Sequence, residues 1–193
     1  MALILASASP RRADLLKHAG YDFVVDAADV DEDAYLDQYP PRELAAFLAY
    51  AKARQVAERH PKDVVLAADT VVAFGETCLG KPTNALEARE IVRLLGGATH
   101  LVITGVAVHA PSQRLELGET VMSAVRMRTL DARELEEYVA SERWRGKAGG
   151  YGIQDPSPIV TCIAGSSTNV VGLPMAQARA MLARVGIVPT DRT

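Results

Sequence analysis

The sequence predicts an α/β fold with a mixed, strongly twisted sheet and helices on its faces. Three observations carry this prediction. Residues 63–74, DVVLAADTVVAF, form a nearly continuous apolar run, the mark of a strand buried on both faces. Residues 99–109 and 114–129 are two long strand-like runs around the turn signal Pro111-Ser112-Gln113, and so read as an antiparallel hairpin. Upstream, short apolar strands alternate with segments of helical period, which gives β-α-β units.

Each element follows in order. Leu3-Ile4-Leu5 opens a strand over residues 3–6. Ser9-Pro10 is a helix start, with Ser9 at the N-cap and Pro10 at the first helical position. That helix runs over 10–19, packs Leu15, Leu16 and Ala19 on one face, and stops at Gly20. A short strand is expected at 23–25, then an acidic loop, DAADVDEDAYLD, at 26–37. Residues 41–60 form a long helix with Leu44, Phe47, Leu48 and Ala51 as its stripe. Lys52 follows Leu48 by four and lies at the stripe's edge. Residues 84–95 form a helix capped by Asn84 with Glu87, and Gly96-Gly97 ends it. Residues 131–141 repeat the capping pattern with Asp131 and Glu134. A glycine-rich loop at 146–152, a strand at 159–163 and a helix at 174–185 complete the chain.

Composition narrows the function. The 193 residues are enough for one sizeable core, or for a large lobe with a small one. Aromatics are only 5%, so Ala, Val, Leu and Ile must build that core. A net charge of −3 argues against broad nucleic-acid binding but leaves room for a local basic pocket. Cys78 and Cys162 show no metal-ligand spacing and read as reduced structural thiols. With no apolar run of membrane-spanning length and no signal segment, a cytoplasmic location is expected.

The stretch ASASPRR (6–12) puts Arg11 and Arg12 in a first helical turn, where the helix dipole disfavours cations. Free N–H groups, Ser7, Ser9 and two guanidiniums would together bind a polyanion such as a phosphate chain. Arginines pointing into water fit the stretch as well. Asp69-Thr70 interrupts the apolar run, and an ionised carboxylate inside a buried strand needs a partner or a metal. Such an Asp could serve as a general base or hold a metal that activates water, unless it merely ends the strand. Asp29, Asp31, Glu32 and Asp33 have hard-cation chemistry without EF-hand spacing, and a solvated acidic loop is the competing reading. Lys52 and Lys81 (in LGKP) are each a surface lysine or a phosphate contact. GKAGGYGIQD (146–155) is neither a Walker motif nor GxGxxG. Its glycines permit close approach to a ligand or simply make turns, and Gln154 offers an amide for a base edge.

Seven stretches, in order, resemble the Maf family of nucleoside triphosphate pyrophosphatases: LASASPRRADLL, VDED, LAYAKA, AADTVV, LGKP, KAGGYGIQ and NVVGLPM. The resemblance covers nearly the whole chain and implies one domain over residues 1–193. It implies a fold like that of the inosine triphosphate pyrophosphatases, with two lobes around a cleft. The implied reaction is metal-dependent hydrolysis, with Mg²⁺ or Mn²⁺, of a nucleoside triphosphate to the monophosphate and pyrophosphate. Asp69 matches the family's catalytic proton acceptor. Ser7, Arg12, Lys52 and Lys81 match phosphate-handling positions, and Glu32 with Asp69 the metal-handling ones. Arg11, Thr70 and Gln154 match the positions that separate substrate branches, and their identities are those of the dTTP/UTP branch. Asp155 departs from the glycine usual after the glutamine, and Ser167 from an aromatic or histidine. The resemblance also implies a homodimer. It leaves two other roles open: cleavage of modified pyrimidine triphosphates in house-cleaning, and nucleotide- or nucleic-acid-linked regulation of cell division through septum inhibition.

Overall fold

The computed structural model describes residues 1–36 and 38–190; Asp37 of the acidic loop and residues 191–193 lie outside them. Among the described residues seven strands form one sheet: β1 (Leu3–Leu5), β2 (Val24–Val25), β3 (Val64–Phe74), β4 (Thr77–Leu79), β5 (Thr99–Ala110), β6 (Leu115–Met127) and β7 (Val160–Ala164). Their spatial order is β2-β1-β3-β5-β6-β7, with β4 paired to β3 off that path. The pairs β2–β1 and β1–β3 are parallel, and the remaining pairs are antiparallel. The sheet is therefore mixed, as the sequence predicts. Six α-helices among the described residues flank it: α1 (Pro10–His18), α2 (Pro41–Ala57), α3 (Ala85–Leu95), α4 (Ala132–Ala140), α5 (Ser167–Val171) and α6 (Met175–Arg184).

Side-chain caps set the starts of α3 and α4. Asn84 caps α3 by accepting from the Glu87 backbone N–H, and Asp131 with Glu134 closes a full capping box on α4. Ser9 does stand at the N-cap of α1, yet its side chain makes no capping bond; its N–H instead donates to Ser7 Oγ. Two elements are absent from the sequence prediction. β4 is three residues long with no apolar alternation, and α5 is five residues long, too short to show a helical period.

Alternation along β3 organises the interior. One face carries Val64, Leu66 and Ala68 into a core with α1 and α6, then Val72 and Phe74 into a second core with α3 and α4. The opposite face carries Val65 and Ala67, then Val71 and Ala73, against successive turns of α2. Thr70 falls at the divide on the first face and Asp69 at the divide on the second. The expected two lobes correspond to the two ends of one continuous sheet, each end carrying a core on both faces. α2 comes very close to the sheet at Gly105, the partner of Asp69 across the β3–β5 ladder. Any Cβ there would run into the Ala45 backbone, so only glycine permits this approach.

The edge of β3 is covered unevenly. β1 pairs with Val64–Leu66 and β4 with Val72–Phe74. Between them neither strand pairs with β3, and Asp69 and Thr70 lie in that gap.

Candidate active site

A cleft of about 480 Å³ opens at this gap, within the range usual for small-molecule sites. The end of β1, the first turn of α1, the centre of β3 and the glycine-rich loop line it. Every site residue named from the sequence is among its walls: Ser7, Arg11, Arg12, Glu32, Lys52, Asp69, Thr70, Lys81 and Gln154. Asp29 and Asp31 of the acidic cluster do not line it. Asp31 caps a local turn by accepting from the Ala34 N–H, and Asp29 is tied to α2 by two bonds between its backbone and the Gln55 amide.

On the α2 side of the gap lies a chain of alternating charge. Lys81 Nζ donates to Glu32 Oε2 at 2.5 Å, and Lys52 Nζ to Glu32 Oε1 at 2.6 Å and Asp69 Oδ1 at 2.5 Å. Lys52 was expected at the edge of the apolar stripe; it is instead buried, 6% exposed, beside Asp69 at 3%. Two carboxylates make that burial tolerable, since neither charge is left alone. Burial is the largest single influence on Glu32 and opposes its ionisation. The charge and hydrogen bonds of Lys52, then those of Lys81, outweigh it and hold the pKa down at about 2.

On the other side Arg12 is fixed by neutral groups. Its Nε donates to Gly172 O at 2.7 Å, Nη1 to Ser7 Oγ at 3.0 Å and Nη2 to Thr70 Oγ1 at 3.1 Å. Burial pulls its pKa down; Asp69 and Glu32 oppose this and Arg11 adds to it. Five N–H donors serve three such bonds, so hydrogen-bonding capacity remains for a ligand. Arg11 turns the other way and reaches Gly146 O at 3.2 Å, tying α1 to the glycine-rich loop.

The glycine-rich loop contributes more than close approach. Lys147 and Asp155 form a largely buried ion pair within it. The extra charge at Asp155 is therefore neutralised inside the loop, while the neighbouring Gln154 stays exposed at the cleft mouth. Tyr151 forms a wall and shares a 2.5 Å hydrogen bond with buried His100, whose pKa burial lowers to about 4. Sequence reasoning missed Arg145 and Lys147 as cleft cations. With Arg11, Arg12, Lys52 and Lys81 they make six cations against the carboxylates of Glu32, Asp69 and Asp155. A chain of net charge −3 thus lines its cleft with an excess of positive charge, the field a polyanion requires.

Glu32 and Asp69 converge on one ammonium and so form a two-carboxylate donor set. Among the described residues no group of three or more His, Cys, Asp or Glu side chains is placed to hold a metal ion. Two carboxylates, completed by phosphate oxygens and water, are a usual set for a phosphate-borne Mg²⁺, so the residues fit such a cation.

A cationic cleft over a strand gap with one buried carboxylate defines an α/β protein built to take a phosphorylated ligand. The chain belongs to the Maf family: the family's model, described as Maf-like protein, matches residues 2–185. Among its relatives, a dTTP/UTP pyrophosphatase of Rhodospirillum rubrum is 46% identical over 97% of this chain and 89% of its own length. Proteins of the same name from Caulobacter vibrioides and Cereibacter sphaeroides are 46% and 47% identical over 97% of this chain and 97% and 96% of theirs. A nucleoside-triphosphatase / dITP/XTP pyrophosphatase structure from Mycobacterium abscessus aligns over 98% of this chain and all of its own, with a TM-score of 0.47 at 14% identity. That likeness is too distant to add to the argument from the sheet. No helix among the described residues is long and apolar enough to cross a membrane.

Proposed function

We propose that this protein hydrolyses nucleoside triphosphates, dTTP and UTP above others, to the monophosphate and pyrophosphate. The observation that carries the reading is the buried Asp69 in the β3 gap, held by Lys52 on one face while Arg12 is fixed on the other. The relatives named dTTP/UTP pyrophosphatase support the substrate.

In this reading Arg12, Lys52, Lys81 and Ser7, with the N–H groups at the start of α1, hold the triphosphate. Lys52 engages Oδ1 of Asp69 and orients the carboxylate, leaving Oδ2 to take a proton from water. The water oxygen bonds to the α-phosphorus, the bond from that phosphorus to the bridging oxygen breaks, and pyrophosphate leaves. Arg12 and the lysines stabilise the charge that develops on the phosphoryl oxygens. Glu32 and Asp69 would hold a divalent cation, Mg²⁺ or Mn²⁺, which supplies further charge neutralisation to the phosphates. Arg11, Thr70 and Gln154, which also line the cleft, carry the choice among substrates. One domain over residues 1–193 and a homodimer belong to the same proposal and are supported by the family resemblance; a cytoplasmic location belongs to it as well.

The test is pyrophosphate release across the common nucleoside triphosphates and modified pyrimidine triphosphates, each with Mg²⁺ and with Mn²⁺. Preferential release from dTTP and UTP is expected. Faster turnover of a modified pyrimidine would move the assignment to house-cleaning. Absence of release from every triphosphate would overturn the enzymatic reading.

A further inference from the structure

The fixing of Arg12 does not end at Thr70. Thr70 Oγ1 lies 3.0 Å from Thr104 Oγ1, and Thr104 Oγ1 donates to the Asn169 carbonyl at 3.1 Å. The Gly172 N–H donates to that same carbonyl at 3.0 Å, and Gly172 O accepts from Arg12 Nε. The bonds close a ring that leaves the guanidinium at Nη2 and returns to it at Nε. Thr104 and Asn169 are both 0% exposed. Asn169 is itself tied down, with Nδ2 donating to Val102 O at 3.1 Å and to Ser123 Oγ at 2.9 Å. Gly172 has φ +120°, a conformation that side chains resist, so the turn closing the ring is itself specified by sequence.

Only one order of protons makes all these bonds at once. A guanidinium only donates and a carbonyl only accepts. Thr104 must therefore give its proton to Asn169 O, and Thr70 must give its own to Thr104. Thr70 then receives Arg12 Nη2 on a lone pair. The hydroxyl beside the catalytic carboxylate is thus oriented by a residue out of reach of any ligand.

We infer that Thr104 of β5, bonded to the Asn169 carbonyl of α5, is a positioning residue for Arg12: through Thr70 it aims the guanidinium at the polyphosphate. The inference rests on the pyrophosphatase reading. It assigns Thr104 a part in polyphosphate affinity rather than in the proton transfer at Asp69. Removing the hydroxyl without changing volume, Thr104→Val, leaves Thr70 without its acceptor and breaks the ring at its buried point. Thr104→Ser keeps it closed.

The experiment measures inorganic pyrophosphate binding by titration calorimetry, and KM and kcat for dTTP, in the wild type and both variants, with thermal midpoints alongside. Loss of one hydrogen bond predicts about fivefold weaker pyrophosphate binding in Thr104→Val. KM should rise by a similar factor and move more than kcat. Thr104→Ser should restore both. Unchanged pyrophosphate affinity in Thr104→Val would overturn the inference, and so would a loss that serine does not restore. A wild type that neither binds pyrophosphate nor releases it from dTTP would instead overturn the functional reading.

Discussion

Asp69 and Thr70 are neighbours on one strand, yet they belong to opposite kinds of environment. Asp69 faces α2 and enters a chain of full charges, Lys81–Glu32–Lys52–Asp69. Thr70 faces the seam between the two cores and enters a ring of neutral groups around one guanidinium. Charges in a partly open chain can redistribute when a charged ligand arrives. Neutral hydrogen bonds anchored on buried Thr104 and Asn169 have only one satisfied arrangement, and they hold a donor still. In the proposed reading the α2 side supplies the proton acceptor and two mobile phosphate contacts, Lys52 and Lys81, while the seam side holds Arg12 in one fixed arrangement.

The sharpest way to break that division is Asp69→Asn. It should lower kcat by about 10²–10⁴-fold, the usual worth of a general base, while the fold persists. Circular dichroism beside the turnover assay checks both halves. Lys52→Met is next. It strips the shared cation from two carboxylates, one of them buried, and should cost about 3–5 kcal/mol of stability, read from urea midpoints. Arg11→Trp replaces a donor at the cleft mouth whose bond is to Gly146 O. Turnover of dTTP and UTP should fall about tenfold through altered pocket contacts. Its thermal midpoint should barely move, because the side chain is only partly buried.

The smallest effect is on pH dependence. Glu32 is held at about 2 against an ordinary 4.5, so its contribution to stability is complete above 4.5 and fades as pH falls toward 2. The stability gap between wild type and Glu32→Gln should close over that window. His100, lowered from 6.5 to about 4, stabilises fully above 6.5 and loses its contribution as pH drops through 4. Acid should therefore weaken the α3–α4 core before the ion chain. Urea midpoints from pH 7 to pH 2 for wild type, Glu32→Gln and His100→Gln separate the two.

Much of this was legible in the sequence, for physical reasons. Long apolar runs and capping pairs are local signals, and β3, the β5–β6 hairpin, α3 and α4 follow from them. The Asp69-Thr70 interruption marks the site because a charge in a buried strand needs a reason. Short elements such as β4 and α5 carry too few residues for a period to show. Lys52 was misplaced because its burial depends on Glu32 and Asp69, 20 and 17 residues away in the chain. Thr104 left a fainter trace. Thr104-Gly105 interrupts the apolar run of β5 as Asp69-Thr70 interrupts β3, and the register sets the two interruptions side by side. Only the pairing reveals that they belong together.

In the proposed reading the proton acceptor lies on the α2 face of β3, and the hydrogen-bond ring that fixes Arg12 lies on the seam face. Pyrophosphate affinity of Asp69→Asn, measured by calorimetry beside its turnover of dTTP, tests this most directly. Turnover should be nearly abolished and pyrophosphate affinity retained. Turnover close to wild type, or a loss of affinity as large as the loss of turnover, would contradict it.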